Sequence, residues 1–569
     1  MARAQKNGSR RALPGGGSAA PATLPRIQER SLWPPRHVLI TLCSLATAIL
    51  LVRAGLLERV AGAVIDAAVC NIITLILCFS GLVTLLLWLV RESGHAPWVK
   101  RAVVGGLLAA VGLAAATLRI ERVSGDLVPE FVWRWRPDRD ALLPAVAQPP
   151  TTASVWTRTP EDFPRFLGPD GTAALLAPRL DPDWEAHPPR LLWRRPIGGG
   201  WSAFATCGDH GVTLEQRGTE ELVTCCSLET GEPQWSVATP ARHQTVLGGV
   251  GPRSTPTIRD GVVYATGATG WLHAIDGATG RILWQKDVLA DLGIDPAAHA
   301  AAVAWGRAGS PLVTSTAVIV PGGGPRPDGS VALVAYDRGT GSRLWTAGKE
   351  QIAYCSPTLC SLEGREFLVS VNESHVAGYD PATHEEIWQI AWPGHSNSDA
   401  TCSQAVVVGQ RQLFLSKGYG IGAALFELEP SASGAWTSRE VWRQSSIMKT
   451  KFTNVATRGG YAYGLSDGIL ECVRLADGQR QWKGGRYGQG QVLLVGDLLV
   501  VQSESGEIVL VEASPQAHAV RGRLAALAGQ TWNNPCLAGN KLLVRNAEEA
   551  ACYELPLLAD ATATAGAAP

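Results

Sequence analysis

A tryptophan returns at the end of one short β-type run after another along this chain. It stands at Trp193, Trp235, Trp284, Trp345, Trp388, Trp442 and Trp482, at intervals of 40 to 61 residues. Ahead of it lies an eleven-residue pattern, A-x-D-x-x-T-G-x-x-x-W, met unchanged as AIDGATGRILW (274–284) and AYDRGTGSRLW (335–345). Between copies the chain alternates short apolar runs with Gly- and Asp-rich turns, as in GVVYATGATGWLHAIDGATGRILWQKDV (261–288), which predicts consecutive antiparallel strands. A period of this length is that of a four-stranded propeller blade with variable loops. The unit at 506–527 keeps the strands and has lost the tryptophan. Trp193 has no complete blade before it, and the strands of 540–556 have none after. Pairing the two ends makes one composite blade, so the expected fold is all-β, an eight-bladed propeller whose closure removes exposed strand edges.

Ahead of the propeller the composition changes. Residues 1–36 carry seven Lys and Arg against one acid, Glu29, and are expected to be a disordered basic arm. Three apolar stretches follow, at 37–52, 67–90 and 102–118, each near the roughly 20 residues that a membrane-spanning helix needs. They read as a three-helix anchor (37–118), with Asp66 at the edge of the second stretch suited to the interface. The arm and the second loop (Arg91, Lys100, Arg101) are the basic segments, while the first loop has only Arg53 and Arg59. The positive-inside rule then predicts a multi-pass inner-membrane protein with a cytoplasmic N-terminus and an extracytoplasmic, periplasmic propeller. A linker is expected over 119–160, the propeller over 161–557 and a disordered tail over 558–569. The 50 basic and 50 acidic residues balance, which argues against nucleic acid as a partner.

The repeat resembles the tryptophan-docking motif of the PQQ-type, quinoprotein-like eight-bladed propellers, a group holding both PQQ-dependent alcohol dehydrogenases and the non-catalytic outer-membrane assembly protein BamB. The segments DFPRFLGPDGTAA (162–174), GPRSTPTI (251–258), WGRAGSPLV (305–313) and SKGYGIGAALFEL (416–428) are similar to a bacterial subfamily of such propellers. The resemblance spans about 160–557 and implies fold more than activity. It implies architecture for the motif itself: Asp276 and Asp337 accept turn N–H groups, Gly280 and Gly341 supply positive φ, and Trp284 and Trp345 dock on the neighbouring blade. Degenerate copies fit that role, since His384 replaces the glycine in one and Arg474 the aspartate in another. A catalytic constellation would tolerate neither.

Nine of the twelve cysteines fall in the propeller. Adjacent Cys225 and Cys226 match in outline the vicinal disulfide of the PQQ-dependent alcohol dehydrogenases. Aligned to the repeat, however, Cys225 takes the place of Ala274 and Ala335, where a small buried side chain is wanted, and Cys472 and Cys552 fall at equivalent places.

For chemistry the sequence offers little. There is no Asp/Asn/Glu cluster of the kind that holds calcium under a quinone, no C-x-x-C-H, no His pair at zinc spacing, no G-x-S-x-G and no phosphate-binding glycine loop. GHSNSD (394–399) reads as a solvated loop. No catalytic residue and no metal ligand are assigned, and no cofactor is expected. The expected function is a membrane-anchored scaffold that binds envelope proteins or a small ligand. The alternative, suggested by the membrane-bound quinoprotein dehydrogenases of the group, is a dehydrogenase using PQQ with calcium and feeding a membrane quinone. Binding is expected at one mouth of the central channel, where each inner strand begins with a short polar lead-in before proline: STP (254–256), GSP (309–311), CSP (355–357) and NNP (533–535). Just before such lead-ins stand Arg253, Trp305, Tyr354, Lys451, Arg486, Tyr487 and Trp532, suited to an anionic or aromatic ligand or an acidic peptide. The competing reading is that these are loop residues packing on one another.

Overall fold

The computed structural model describes residues 31–56, 66–143, 156–325, 329–397, 399–431 and 434–558. Most of the basic arm, Arg59, the middle of the expected linker and the C-terminal tail from 559 lie outside the described residues.

Three helices open the described chain: α1 (Arg36–Arg53), α2 (Ala67–Arg91) and α3 (Pro97–Thr117). All three are long and apolar enough to cross a membrane. The third starts earlier than hydropathy suggests because proline is tolerated in a first helical turn, so Pro97 opens the helix rather than breaking it. The helices run antiparallel in sequence order. At one end Gly94 N–H donates to Ser31 O (2.9 Å) and Lys100 Nζ to Ser93 O (2.8 Å); at the other Arg53 Nη1 donates to Asn71 Oδ1 (2.9 Å). The end of α1, the start of α2 and the end of α3 therefore lie together, on the side where the propeller follows.

The propeller has eight blades of four antiparallel strands, numbered here by residue range: 205–240, 257–287, 312–347, 358–391, 406–444, 456–486, 491–525, and a last one built from 536–554 with the early strand Arg190–Pro196. In that eighth blade the N-terminal strand is outermost and lies against Glu549–Glu554, with Trp193 opposite Cys552. The termini thus close the ring by pairing, as the truncated first and last repeats predict.

The tryptophans staple blade to blade. In seven blades the Trp of the outermost strand lies opposite one position of the next strand in, held by Cys225, Ala274, Ala335, Gly378, Leu425, Cys472 or Cys552. The position is buried and, except at Leu425, holds a small side chain, as expected for Cys225, and Cys225 and Cys226 are both free thiols. Five of the indoles then donate to a carbonyl of the following blade, among them Trp235 Nε1 to Gly277 O (2.8 Å) and Trp284 Nε1 to Arg338 O (3.0 Å). The turns that receive them need their glycines. Gly280 has φ +70°, and a Cβ there would come within 2.8 Å of Trp235 Cγ; Gly341 likewise crowds Trp284 at 2.7 Å. Asp276 Oδ1 accepts from Thr279 N (2.9 Å) and Oγ1 (2.7 Å), and Asp337 holds Thr340 in the same way. His384 keeps the left-handed conformation of the glycine it replaces, at φ +64°, and its ring stacks on Trp345 at 4.1 Å. Where Arg474 replaces the aspartate, its guanidinium grips Asp477 across the turn (2.6 Å).

Blade 7 lost its tryptophan, and the structure shows what replaces it. Gly522 occupies the Trp register position, opposite Leu510. Trp184 fills the space above it, with Cδ2 2.7 Å from where a Gly522 Cβ would stand. A Trp on blade 7 would have met no motif turn on blade 8, because that corner is where the two chain ends join (Asp181 N to Pro556 O, 2.9 Å). The staple is instead supplied from the open corner and points backward.

Candidate functional site

The polar lead-ins form a belt around the channel. Asn533 Nδ2 donates to Ser202 O (2.7 Å), Ala203 N to Thr255 Oγ1 (3.3 Å), Thr255 N to Ser310 Oγ (2.8 Å) and Ser310 N to Ser356 Oγ (2.9 Å). Gln404, with its amide turned to satisfy both ends, bridges Ser356 N and O at 2.9 Å each, and its own N–H donates to Asn454 Oδ1 (3.0 Å). Gln491 Nε2 joins Phe452 O (3.0 Å) to Trp532 O (2.9 Å), which returns the belt to blade 8. One residue per blade ties the inner strands into a ring. Backbone donors near a channel need partners whether or not a ligand is present, so these polar side chains are structural.

Two residues before the belt positions Ala203, Thr255, Ser310, Ser356, Gln404, Asn454 and Gln491, and before Asn534 beside the belt's Asn533, the side chain alternates back to the same direction and faces the mouth. Those side chains are Trp201, Arg253, Ala308, Tyr354, Cys402, Phe452 and Trp532, and all seven line a cavity of about 370 Å³. The eighth equivalent, Gln489, lies under Gly125, where a Cβ would come within 2.1 Å of Gln489 Cγ. Phe166 also lines the cavity. Its segment crosses from blades 1 and 2 (Phe163 N to Thr206 Oγ1, Ile258 N to Pro164 O, both 2.8 Å) to blade 7, where Ala174 pairs with Leu494.

The lid of the cavity comes from the N-terminal part of the chain. Residues following α3 form a hairpin of β1 (Leu118–Val123) and β2 (Pro129–Trp133), in the region read from sequence as linker. Val123, Ser124, Gly125 and Leu127 of the hairpin, with Asp66, Ala68, Val69 and Ile72 at the start of α2, close over the mouth. Gly125 N–H donates to Glu504 Oε1 (2.7 Å), which also accepts from Trp532 Nε1 (3.0 Å). Further ties run from Val123 O to Gln530, from Arg122 to Glu548 (3.2 Å) and from Asp140 to Arg242 (2.6 Å), spreading the lid over blades 1, 7 and 8.

Asp66 joins helix to propeller. Its Oδ1 caps α2 by accepting from Val69 N (2.8 Å), and its Oδ2 meets Lys451 Nζ at 2.9 Å with both residues buried. Burial would push this carboxyl up, but the Lys451 ammonium and the Val69 N–H outweigh it and hold it below the usual range. Arg253 is the other charge of the wall. Its guanidinium donates to the carbonyls of Gly248 (2.6 Å), Gly249 (3.1 Å) and Gly251, and burial lowers its pKa to about 10. Among the described residues no carboxylate lies within ion-pair distance of it. Burial pushes the Cys402 thiol up to about 12 and the Tyr354 and Tyr419 hydroxyls well above their usual value.

Five residues expected at the mouth, Arg253, Trp305, Tyr354, Lys451 and Trp532, line the cavity together. Two do not. Tyr487 is buried between blades 6 and 7, its hydroxyl on His518 Nε2 (2.9 Å), and Arg486 is exposed beside a separate open cleft under the hairpin. Arg486 ends the last strand of blade 6 and Tyr487 comes directly after it, too close to the outer edge of the blade to reach the channel. Sequence reasoning missed Trp201, Ala308, Cys402 and Phe452, which stepping back two residues from each belt position would have found. GHSNSD is less solvated than expected: Ser396 is buried, its Oγ donates to Ile352 O (3.0 Å), and its carbonyl accepts from Tyr354.

The sequence profile of the family described as outer membrane protein assembly factor BamB matches residues 190–484, more than half of the chain. The chain belongs to that family. Solved structures of similar fold include the europium-containing methanol dehydrogenase, 11% identical over 70% of this chain and 98% of that one, with a TM-score of 0.53. BamB from Moraxella catarrhalis is 15% identical over 64% of this chain and all of that one (100%), with a TM-score of 0.45. No curated protein matches the chain in sequence. Membership of the family and a shared fold leave the activity open, and the choice for this chain rests on its funnel.

A calcium-held quinone would need six to eight oxygen ligands around the metal. The funnel wall carries one carboxylate, Asp66, already paired with Lys451, so the residues present do not fit that group.

Proposed function

We propose that this BamB-like propeller is a membrane-anchored binding protein whose ligand is a small aromatic or anionic molecule held in the funnel. One observation carries the reading: seven side chains from one register position in seven blades converge on a single cavity, four of them aromatic and one a half-buried arginine with no carboxylate in ion-pair distance among the described residues. Its volume lies within the range of small-molecule pockets. Catalysis is less well supported, because Cys402, Tyr354 and Tyr419 are all pushed away from neutral pKa values and Asp66 is neutralised by Lys451. An acidic peptide or envelope protein finds little room at a mouth covered by the chain's own hairpin and helix. A cytoplasmic N-terminus and a periplasmic propeller accord with the basic arm and second loop, and with the antiparallel run of the helices.

The test is mass spectrometry of small molecules released from the full-length protein purified in mild detergent, beside an Arg253→Gln, Tyr354→Phe variant. An aromatic or anionic compound retained by the parent and lost by the folded variant is expected. Calcium-dependent dye reduction by protein loaded with PQQ would instead establish the dehydrogenase. Protease added to intact spheroplasts should remove the propeller; its protection would overturn the orientation.

A further inference from the structure

The funnel is not sealed from the region the helices occupy. Ala68, Val69 and Ile72 of α2 line the cavity, and the same helical stripe continues outward through Leu75, Ile76 and Phe79. These are strongly exposed, Ile72 at 44%, Ile76 at 59% and Phe79 at 66%, so the cavity wall and the exposed face of the helix form one apolar track. The rim beside it is apolar too: Val128 at the hairpin tip is 53% exposed and Leu247, which also lines the cavity, 48%. At the open end of the hairpin, where Trp133 lies opposite Leu118 beside the end of α3, Trp133 and Trp135 stack at 5.2 Å and are exposed, as interfacial tryptophans that anchor spanning helices are. If α2 and α3 span a bilayer, the funnel opens at its surface.

The charge of the wall says what the head of a ligand carries. Asp66 and Lys451 cancel, which leaves the Arg253 guanidinium, whose bonds all go to carbonyls. A half-buried cation whose hydrogen bonds all go to neutral acceptors is complementary to one negative charge.

We propose that the funnel ligand is a singly charged anionic amphiphile drawn from the bilayer, with its head beside Arg253 and its apolar chain lying along α2. This rests on the funnel being a binding site, and deepens that reading by assigning the ligand's class and route. A soluble aromatic acid shares the head-group chemistry but would arrive from water.

The experiment uses the full-length chain in phosphatidylcholine nanodiscs. One arm contains diazirine-labelled palmitate, or the corresponding fatty alcohol, and reads the crosslinked peptides; the other titrates naphthalene-2-sulfonate from solution and reads tryptophan fluorescence. Palmitate is expected to label both the start of α2 and the peptide around Arg253, at least five-fold more than the alcohol does. Arg253→Gln should abolish that preference and Arg253→Lys should keep it, which separates charge from packing. Labelling confined to the outer faces of the helices, with naphthalene-2-sulfonate still bound in the funnel, would overturn the bilayer route and leave the binding site standing. Failure of both probes to reach the funnel would overturn the binding site itself.

Discussion

Replacing Trp184 by alanine tests how the ring is closed. This indole is buried, at 5% exposure, and packs on Gly522 in the slot that seven other blades fill from their own strands. A buried tryptophan cut to alanine costs about 3–5 kcal/mol. For a propeller of roughly 400 residues, an unfolding entropy of about 2.1 cal/mol/K per residue converts this to a fall of about 4–6 °C in Tm. The fall should appear in thermal scans followed by intrinsic fluorescence in detergent, with equal loss for the composite blade and its neighbours if the ring unfolds as a unit. Adding Gly522→Trp to Trp184→Ala should recover part of it, because the cleared space is that of the motif indole. The same Gly522→Trp substitution alone should destabilise, since its Cβ already stands 2.7 Å from Trp184. A change below 1 °C for Trp184→Ala, or no rescue by the second substitution, would refute the idea that a tryptophan from the open corner substitutes for the one missing from blade 7.

Trp284→Ala and Trp345→Ala should each cost a similar 3–5 kcal/mol in the same scans while leaving ligand retention unchanged, because both indoles lie between blades. Lys451→Met strands the buried Asp66 carboxylate and should cost about 3–5 kcal/mol, with much of that recovered by adding Asp66→Asn; non-additivity in a double-mutant cycle is the readout. Glu221 is buried, and burial raises its pKa to about 7 although Ala268 N–H donates to it. The folded form therefore holds this proton more tightly than the unfolded form, so its contribution is full below about pH 4.5 and lost as pH rises through about 7, by up to about 3 kcal/mol. Glu221→Gln should remove that loss, and a parent-minus-variant stability difference that is flat from pH 5 to 8 would contradict it. Tyr487→Ala should lower Tm without altering what the funnel binds, since its ring packs between blades 6 and 7.

Everything carried by a local period could be read from the residues in order. Trp-to-Trp spacing, the turn chemistry of Asp276 and Gly280, and the unmatched first and last repeats were enough for eight blades closed by their ends, because each blade is a local antiparallel unit whose needs repeat along the chain. The three apolar helices were legible for the same reason, as uninterrupted runs. The funnel was only half legible. Arg253 and Tyr354 stand out beside a polar-then-proline lead-in, but Cys402 and Phe452 precede lead-ins in which the proline is gone, and only the belt through Gln404 and Asn454 reveals that they share the register. Tertiary structure alone decided the rest: that Trp184 stands in for a missing staple, that a segment read as linker is a lid, and that Asp66 meets Lys451 almost four hundred residues further along. Those contacts join segments that no repeat relates, and their partners are set by how the ring closes and where the helices leave it, which no local pattern encodes.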